Sequence, residues 1–157
     1  MGLRDRFNEQ MKKAMKARDR RRLSTVRMIM AAVKDRDIAS RTEDSREGVA
    51  DDDILNLLAK MIKQREESAA TYDTGNRPEL AAGEREEIEI IREFMPRQMS
   101  EEETRKAVQV AIAEIGAGSL KDMGKVMGAL KSRYSGQMDF SKAGAAVKGL
   151  LSEAKQP

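Results

Sequence analysis

The sequence contains no cysteine, no histidine and no tryptophan. Without sulfhydryl or imidazole groups there is no thiolate nucleophile, no disulfide, no histidine general base and none of the usual His/Cys zinc sites. An Asp/Glu site for Mg²⁺ and a Ser/Lys nucleophile need neither group, but no spacing in the chain announces either. No cofactor and no metal are therefore expected. Aromatic side chains are scarce, three Phe and two Tyr. No apolar run approaches the roughly eighteen residues of a membrane-spanning helix, so no membrane partner is expected. Residues 1–13 include Arg4, Asp5, Arg6 and Glu9, which leaves no signal-peptide core and makes the cytoplasm the expected location. Met1-Gly2 resembles a myristoylation start, but Arg6 stands where Ser or Thr is needed.

The 157 residues suffice for one domain or two small ones, and 39% apolar with 36% charged residues suits amphipathic helices. Leu3, Phe7, Met11 and Met15 predict a first helix over residues 3–18, and Leu23, Val26, Met30 and Val33 a second from Arg20 to about Ile38. Residues 41–53 carry no apolar period and read as an exposed loop, with Asp51 to Asp53 expected to cap the next helix. Ile54, Leu57, Leu58, Met61, Ile62, Ala69 and Tyr72 predict a long third helix ending near Gly75. Pro78 restarts the chain in a fourth, through Leu80, Ile88, Ile91 and Met95, which Pro96 stops.

Ser100 and Glu103 have the spacing of a capping box and open a fifth helix, through Val108, Ala111, Ile112 and Ile115, closed by Gly116 and Gly118. Ser119 is expected to cap a sixth, with Leu120, Met123, Met127, Leu130 and Tyr134 on its buried side. Asp139 caps a seventh that carries Ala143, Val147, Leu150 and Leu151. No segment shows sustained period-two alternation. The expected fold is all-α: a bundle of about four helices over residues 1–96, then a smaller three-helix domain over residues 100–157. Eleven methionines at the same spacing as Leu and Ile are read as core filling, with a soft groove for a partner helix as the alternative.

Net charge is only +3, yet residues 12–36 hold ten Lys/Arg against Asp19 and Asp35. Arg18, Arg20, Arg21 and Arg22 form a basic patch whose guanidinium forks suit phosphate oxygens, although a solvated helix turn explains them too. A second bias lies in the tail, where Lys121, Lys125, Lys131, Arg133, Lys142, Lys148 and Lys155 face only three acids. Lys121 and Lys125 stand one helical turn apart, able to meet successive phosphates of a folded RNA.

Gly124 and Gly128 each weaken a helix by about 1 kcal/mol relative to Ala, so their lack of a side chain should serve something. Close helix packing is the first reading, and a backbone approach to RNA or protein the second. Glu66/Glu67 and Glu84/Glu86/Glu87 face different directions on a helix and read as solvated, with Arg85 and Glu89 as a surface i,i+4 pair. No catalytic residue is assigned.

The strings AMKARDRRRLSTVRMIMAAVKDRDI at residues 14–38, KMIKQREESAATYDTGNRPELAAGEREEIEII at 60–91 and GSLKDMGKVMGALKSRYSGQMDF at 118–140 resemble the YqeY family, together with FMPRQMSEEE at 94–103. YqeY-like proteins are similar in their tail to the C-terminal domain of GatB, a subunit of the glutamine-dependent amidotransferase acting on mischarged Glu-tRNA or Asp-tRNA. That tail helps engage tRNA, so the resemblance implies Lys121 and Lys125 as RNA contacts. The kinase and transamidation chemistry does not carry over, because the chain lacks the large cradle domain of GatB. The resulting expectation is a non-catalytic helical adaptor binding tRNA or another structured RNA, or a tRNA-associated protein. The alternatives are an accessory component of a carbon–nitrogen ligase reaction, partnered with an amidotransferase, and a purely protein–protein module.

Overall fold

The computed structural model describes residues 2–42 and 47–153, and among them every regular element is helical. In order these are α1 (Leu3–Ala17), α2 (Arg20–Ala39), α3 (Asp51–Thr74), α4 (Pro78–Arg92), α5 (Glu101–Ile115), a short 3-10 turn (Leu120–Asp122), α6 (Met123–Arg133) and α7 (Phe140–Glu153). The all-α expectation holds. By contacts the chain divides into two compact units, Met1–Pro96 and Arg97–Pro157. Part of the expected 41–53 loop, residues 43–46, lies outside the described residues, and the helix that follows already begins at Asp51. Among the described residues no helix is long and apolar enough to cross a membrane, and no group of three or more acids is placed to hold a metal ion.

Unit 1 is built from two helical hairpins. Arg18 adopts a left-handed conformation (φ 57°) and closes α1, and the Asp19 carboxylate accepts from the Arg22 N–H at 3.1 Å to open α2. Two residues thus reverse the chain. The second hairpin turns at Asn76 (φ 58°), and Pro78 begins α4 where no N–H is required. Phe7, Val26, Ile29, Ile54, Leu58, Ile91 and Phe94 fill the space between the hairpins. Phe7 and Phe94 meet edge to face with centroids 4.9 Å apart, and the Arg6 guanidinium lies over Phe94 while donating to the carbonyls of Glu93 and Phe94. Arg6 therefore satisfies carbonyls left open at the end of α4.

Several expected details differ. Asp51 to Asp53 occupy the first turn of α3 and complement its dipole, but the N-cap is Ala50 and makes no side-chain bond. The Asp51 carboxylate instead accepts from the Leu3 N–H at 3.4 Å. Arg4 reaches Asp37 through two 2.8 Å bonds and the Val49 carbonyl through a third, while the Val49 N–H donates to Asp37. The Arg4 guanidinium and the Val49 N–H hold the Asp37 carboxyl at about 2, well below its ordinary range. Arg85 pairs with Asp73 on α3 rather than with Glu89, which pairs with Arg92 at 2.9 Å. Helix α4 ends at Arg92, short of Met95, and Leu80 on its stripe is exposed while Ile90 and Phe94 are buried.

One buried charge had no signal in the sequence pattern. Arg65 on α3 is 8% exposed, donates to Glu87 at 2.9 Å and to its own helix at the Met61 carbonyl, and rests against the sulfur of Met28. Thr25 on α2 is wholly buried, and its hydroxyl has no hydrogen-bond partner among the described residues. The methionines divide: Met61 and Met138 are core, whereas Met15 and Met28 are exposed.

Unit 2 packs α5, α6 and α7 around Val108, Ala111, Val126, Leu130, Val147 and Leu151. Its capping box is complete: Ser100 Oγ accepts from the Glu103 N–H, and the Glu103 carboxylate accepts from the Ser100 N–H. Arg97 adds two bonds to the same carboxylate and, with Ser100, holds it down to about 2. Gly116, at φ 71°, ends α5 in the left-handed conformation that glycine adopts without strain. The sixth helix starts later than its apolar spacing suggests. Ser119 Oγ accepts from the Lys121 N–H two residues on, which tightens residues 120–122 into a 3-10 turn before α6 begins. Leu120 is consequently 40% exposed, and Tyr134 lies just past the helix end.

Candidate nucleic-acid interface

Of the seven tail cations in the sequence, Lys155 lies outside the described residues, and unit 2 places the other six unequally. Arg133 bonds to Glu114 of α5 at 2.7 Å, and Lys142 approaches Glu101 at 3.5 Å. Lys121, Lys125, Lys131 and Lys148 are exposed and have no ion-pair partner among the described residues. Asp122, the acid nearest Lys121 and Lys125 in sequence, already accepts from the Gly118 N–H at 3.0 Å.

Helix α6 turns Val126 and Leu130 inward. At 3.6 residues per turn, Gly124, Lys125, Gly128 and Ser132 then fall on its outer side, and all four are exposed. Lys121 precedes this face by one turn. Gly144 of α7 lies beside Met123 and Met127 of α6, so Lys148, one turn further along α7, stands toward the 3-10 turn that carries Lys121. Lys131 lies toward the other end of α6. Lys121 and Lys125 thus stand one turn apart at the start of α6, with Lys148 on the neighbouring helix α7.

The two glycines answer the packing expectation directly. A Cβ built on Gly124 or on Gly128 meets nothing within 4 Å. Neither residue has a positive φ. Among the described residues their missing side chains serve neither helix packing nor a left-handed turn, which corrects the first reading. What remains is a stretch of helix backbone left bare on the outside, between lysines.

The second patch also separates. On α2, Arg21 reaches Glu86 at 2.8 Å and the Gly83 carbonyl, and Arg22 pairs with Glu93, so both forks are engaged by α4. Arg18 and Arg20 remain exposed without an ion-pair partner among the described residues. Sequence proximity suggested four equivalent arginines, but one turn of helix divides them between α4 and solvent.

A small all-α chain of two helical units with unpaired lysines on its second unit is the class defined by these observations. The chain belongs to the YqeY family: the family profile for Yqey-like proteins matches residues 4–151. Among curated proteins it is 32% identical over 107 residues to altered inheritance of mitochondria protein 41, mitochondrial, of Kluyveromyces lactis, covering 66% of this chain and 56% of that protein. The protein of the same name in Lachancea thermotolerans is 33% identical over 89 residues (57% and 46% coverage), and that of Saccharomyces cerevisiae 29% over 85 residues (54% and 44%). This chain thus spans about half the length of the relatives it matches. The cytoplasmic location expected from residues 1–13 is corrected by these relatives, whose names place them in mitochondria. Composition at the start of the chain does not decide its compartment.

Proposed function

We propose that unit 2 is a non-catalytic binding module for the phosphodiester backbone of a folded RNA, with tRNA as its class, and that the outer face of α6 makes the contact. The observation that carries this reading is the bare backbone at Gly124 and Gly128, exposed, unpacked and flanked by the unpaired Lys121 and Lys125. Glycines at such positions cost helix stability, and a ligand that comes within van der Waals reach of the helix backbone is the use left for them. The ammonium groups on either side supply the charge that a polyanion requires, through release of its counterions. With no aromatic side chain beside the patch, recognition acts on backbone and shape rather than on stacked bases. The similarity to the C-terminal domain of GatB that is expected of this tail, from the resemblance at residues 118–140, favours the same choice of ligand.

Binding of a folded tRNA transcript, followed by fluorescence anisotropy across a salt series, tests the proposal. Affinity is expected to fall steadily with rising salt, and Lys121→Glu with Lys125→Glu should reduce it by about tenfold or more while flattening the salt slope by about two phosphate contacts. Salt-insensitive binding, or binding that the double variant leaves unchanged, would remove the basis for an RNA face on α6.

A further inference from the structure

The α1–α2 hairpin carries a groove that neither the core nor the α6 face uses. Arg4, Asn8, Met11 and Met15 repeat at four, three and four residues and share one side of α1. Leu23, Arg27, Met30 and Lys34 repeat in the same way on α2. Arg4 and Asn8 from the first set and Met30 and Lys34 from the second line a single cleft of about 300 Å³, so the two stripes border one groove. Phe7 and Val33 of the core lie at its base.

The apolar side chains along this groove are only partly used by the fold. Met15 is 50% exposed, Met11 and Met30 pack against the core from its margin, and Leu23 is half-buried. The charges beside them are mixed toward the start of α1, where Asp5 and Glu9 continue the row of Lys12 and Lys16, and basic toward the α1–α2 turn. Lys12, Lys16, Arg20, Arg27 and Lys34 are exposed and have no ion-pair partner among the described residues. The carboxylate in the cleft, Asp37, is taken up by Arg4 and the Val49 N–H. Arginines on the other side of α2, by contrast, are neutralised by α4, as Arg21 and Arg22 show.

We infer that this groove docks an acidic amphipathic helix of a partner protein, its apolar ridge seated on Met11, Met15 and Met30 and its flanking carboxylates meeting Arg27, Lys34 and Lys12. A concave cleft between two helices accepts the convex ridge of a third, whereas a flat bilayer surface would leave it unfilled. Flexible thioethers adapt to a ridge of varied side chains, and a nucleic-acid backbone has no use for them. The row of unneutralised cations selects a partner of negative charge and orients it along the groove.

The test is carried out on the full chain with ¹³C-methyl-methionine NMR. The probe is a synthetic helix of about eighteen residues, with Leu at i, i+3, i+4 and i+7 and Glu flanking the stripe. Controls are the same peptide with Lys in place of Glu, a peptide with the Leu and Glu order scrambled, and an RNA hairpin. The acidic helix is expected to shift the methyls of Met11, Met15 and Met30 saturably, leaving those of Met123, Met127 and Met138 in place. Arg27→Glu with Lys34→Glu should weaken it by about tenfold, and Lys121→Glu with Lys125→Glu should not. The unmoved Met123, Met127 and Met138 signals show that unit 2 stays folded, and an unchanged Met61 signal does the same for the core of unit 1. The inference is overturned by absence of saturation up to about 1 mM peptide. It is equally overturned if the scrambled peptide binds as well, if the RNA hairpin competes at the same methyls, or if raising the protein concentration alone shifts them, which would mark a second copy as occupant.

Discussion

Replacing Gly124 and Gly128 by Ala should make the protein more stable and, at the same time, a poorer RNA binder. Gly128 lies in the interior of the eleven-residue α6, where an exposed Gly→Ala change gains about 1 kcal/mol from reduced backbone freedom in the unfolded chain. Gly124 sits in the first turn, where the gain is smaller, about 0.5 kcal/mol. No Cβ contact subtracts from either, since nothing lies within 4 Å of the added methyl at either position. The double variant should gain about 1.5 kcal/mol, and for a unit of this size each kcal/mol raises Tm by about 4–8 °C, giving roughly 6–12 °C for its melting transition. The same two methyls would stand between the helix backbone and an approaching phosphate, and a loss of about tenfold in tRNA affinity, or 1.4 kcal/mol, is the expected consequence. Calorimetry and anisotropy on the same preparation read both effects. A Tm that falls would show that the glycines are needed within the fold. A Tm that rises without any change in affinity would show that the bare backbone is not where RNA approaches.

Two further outcomes follow from the buried polar groups and the carboxylates. Thr25→Val keeps the shape of a wholly buried side chain and removes a hydroxyl that lacks a partner, so urea unfolding should show a gain of about 1 kcal/mol; a loss would mean that the hydroxyl is satisfied in solution. Asp37 and Glu103 are both held at about 2, below their ordinary values of 3.8 and 4.5. Groups depressed in the folded state stabilise it fully above their unfolded pKa, and that contribution disappears as pH falls through the folded one. Stability should therefore decline between about pH 4.5 and 2, and Asp37→Asn should reduce the slope of that decline; an unchanged slope would show that Asp37 is not clasped by Arg4 in solution.

The parts of the fold that are legible in the sequence are those fixed within a turn or two of chain. Ser100 and Glu103 are three residues apart and cap each other whatever unit 2 does elsewhere, so their geometry follows from spacing alone. The same holds for Asp19, Pro78 and Gly116 at their helix ends. Met15 shows the limit of periodicity: it shares a stripe with Leu3 and Phe7, but it lies beside the α1–α2 turn and is left half open. Spacing marks a face and not the extent of what covers it. Ion pairs are less legible still, because Arg65 finds Glu87, Arg22 finds Glu93 and Arg85 finds Asp73 only when the second hairpin has closed and packed. For the candidate interface, the lysines and the unusual glycines stand out in the sequence. Which lysines are already neutralised, and that the glycines touch nothing, depends on how α5, α6 and α7 meet.

Arg6 bridges to the carbonyls of Glu93 and Phe94, which lie 87 and 88 positions further along the chain. A ribosome delivers the amino end first, so this guanidinium, and Phe7 beside it, must wait for nearly all of unit 1 to be synthesised before meeting their counterparts. The first hairpin emerges early with its inner side uncovered and acquires its lining only when α4 has left the exit tunnel. Any product truncated ahead of Phe94 would keep that side permanently open, a natural substrate for chaperones and proteases.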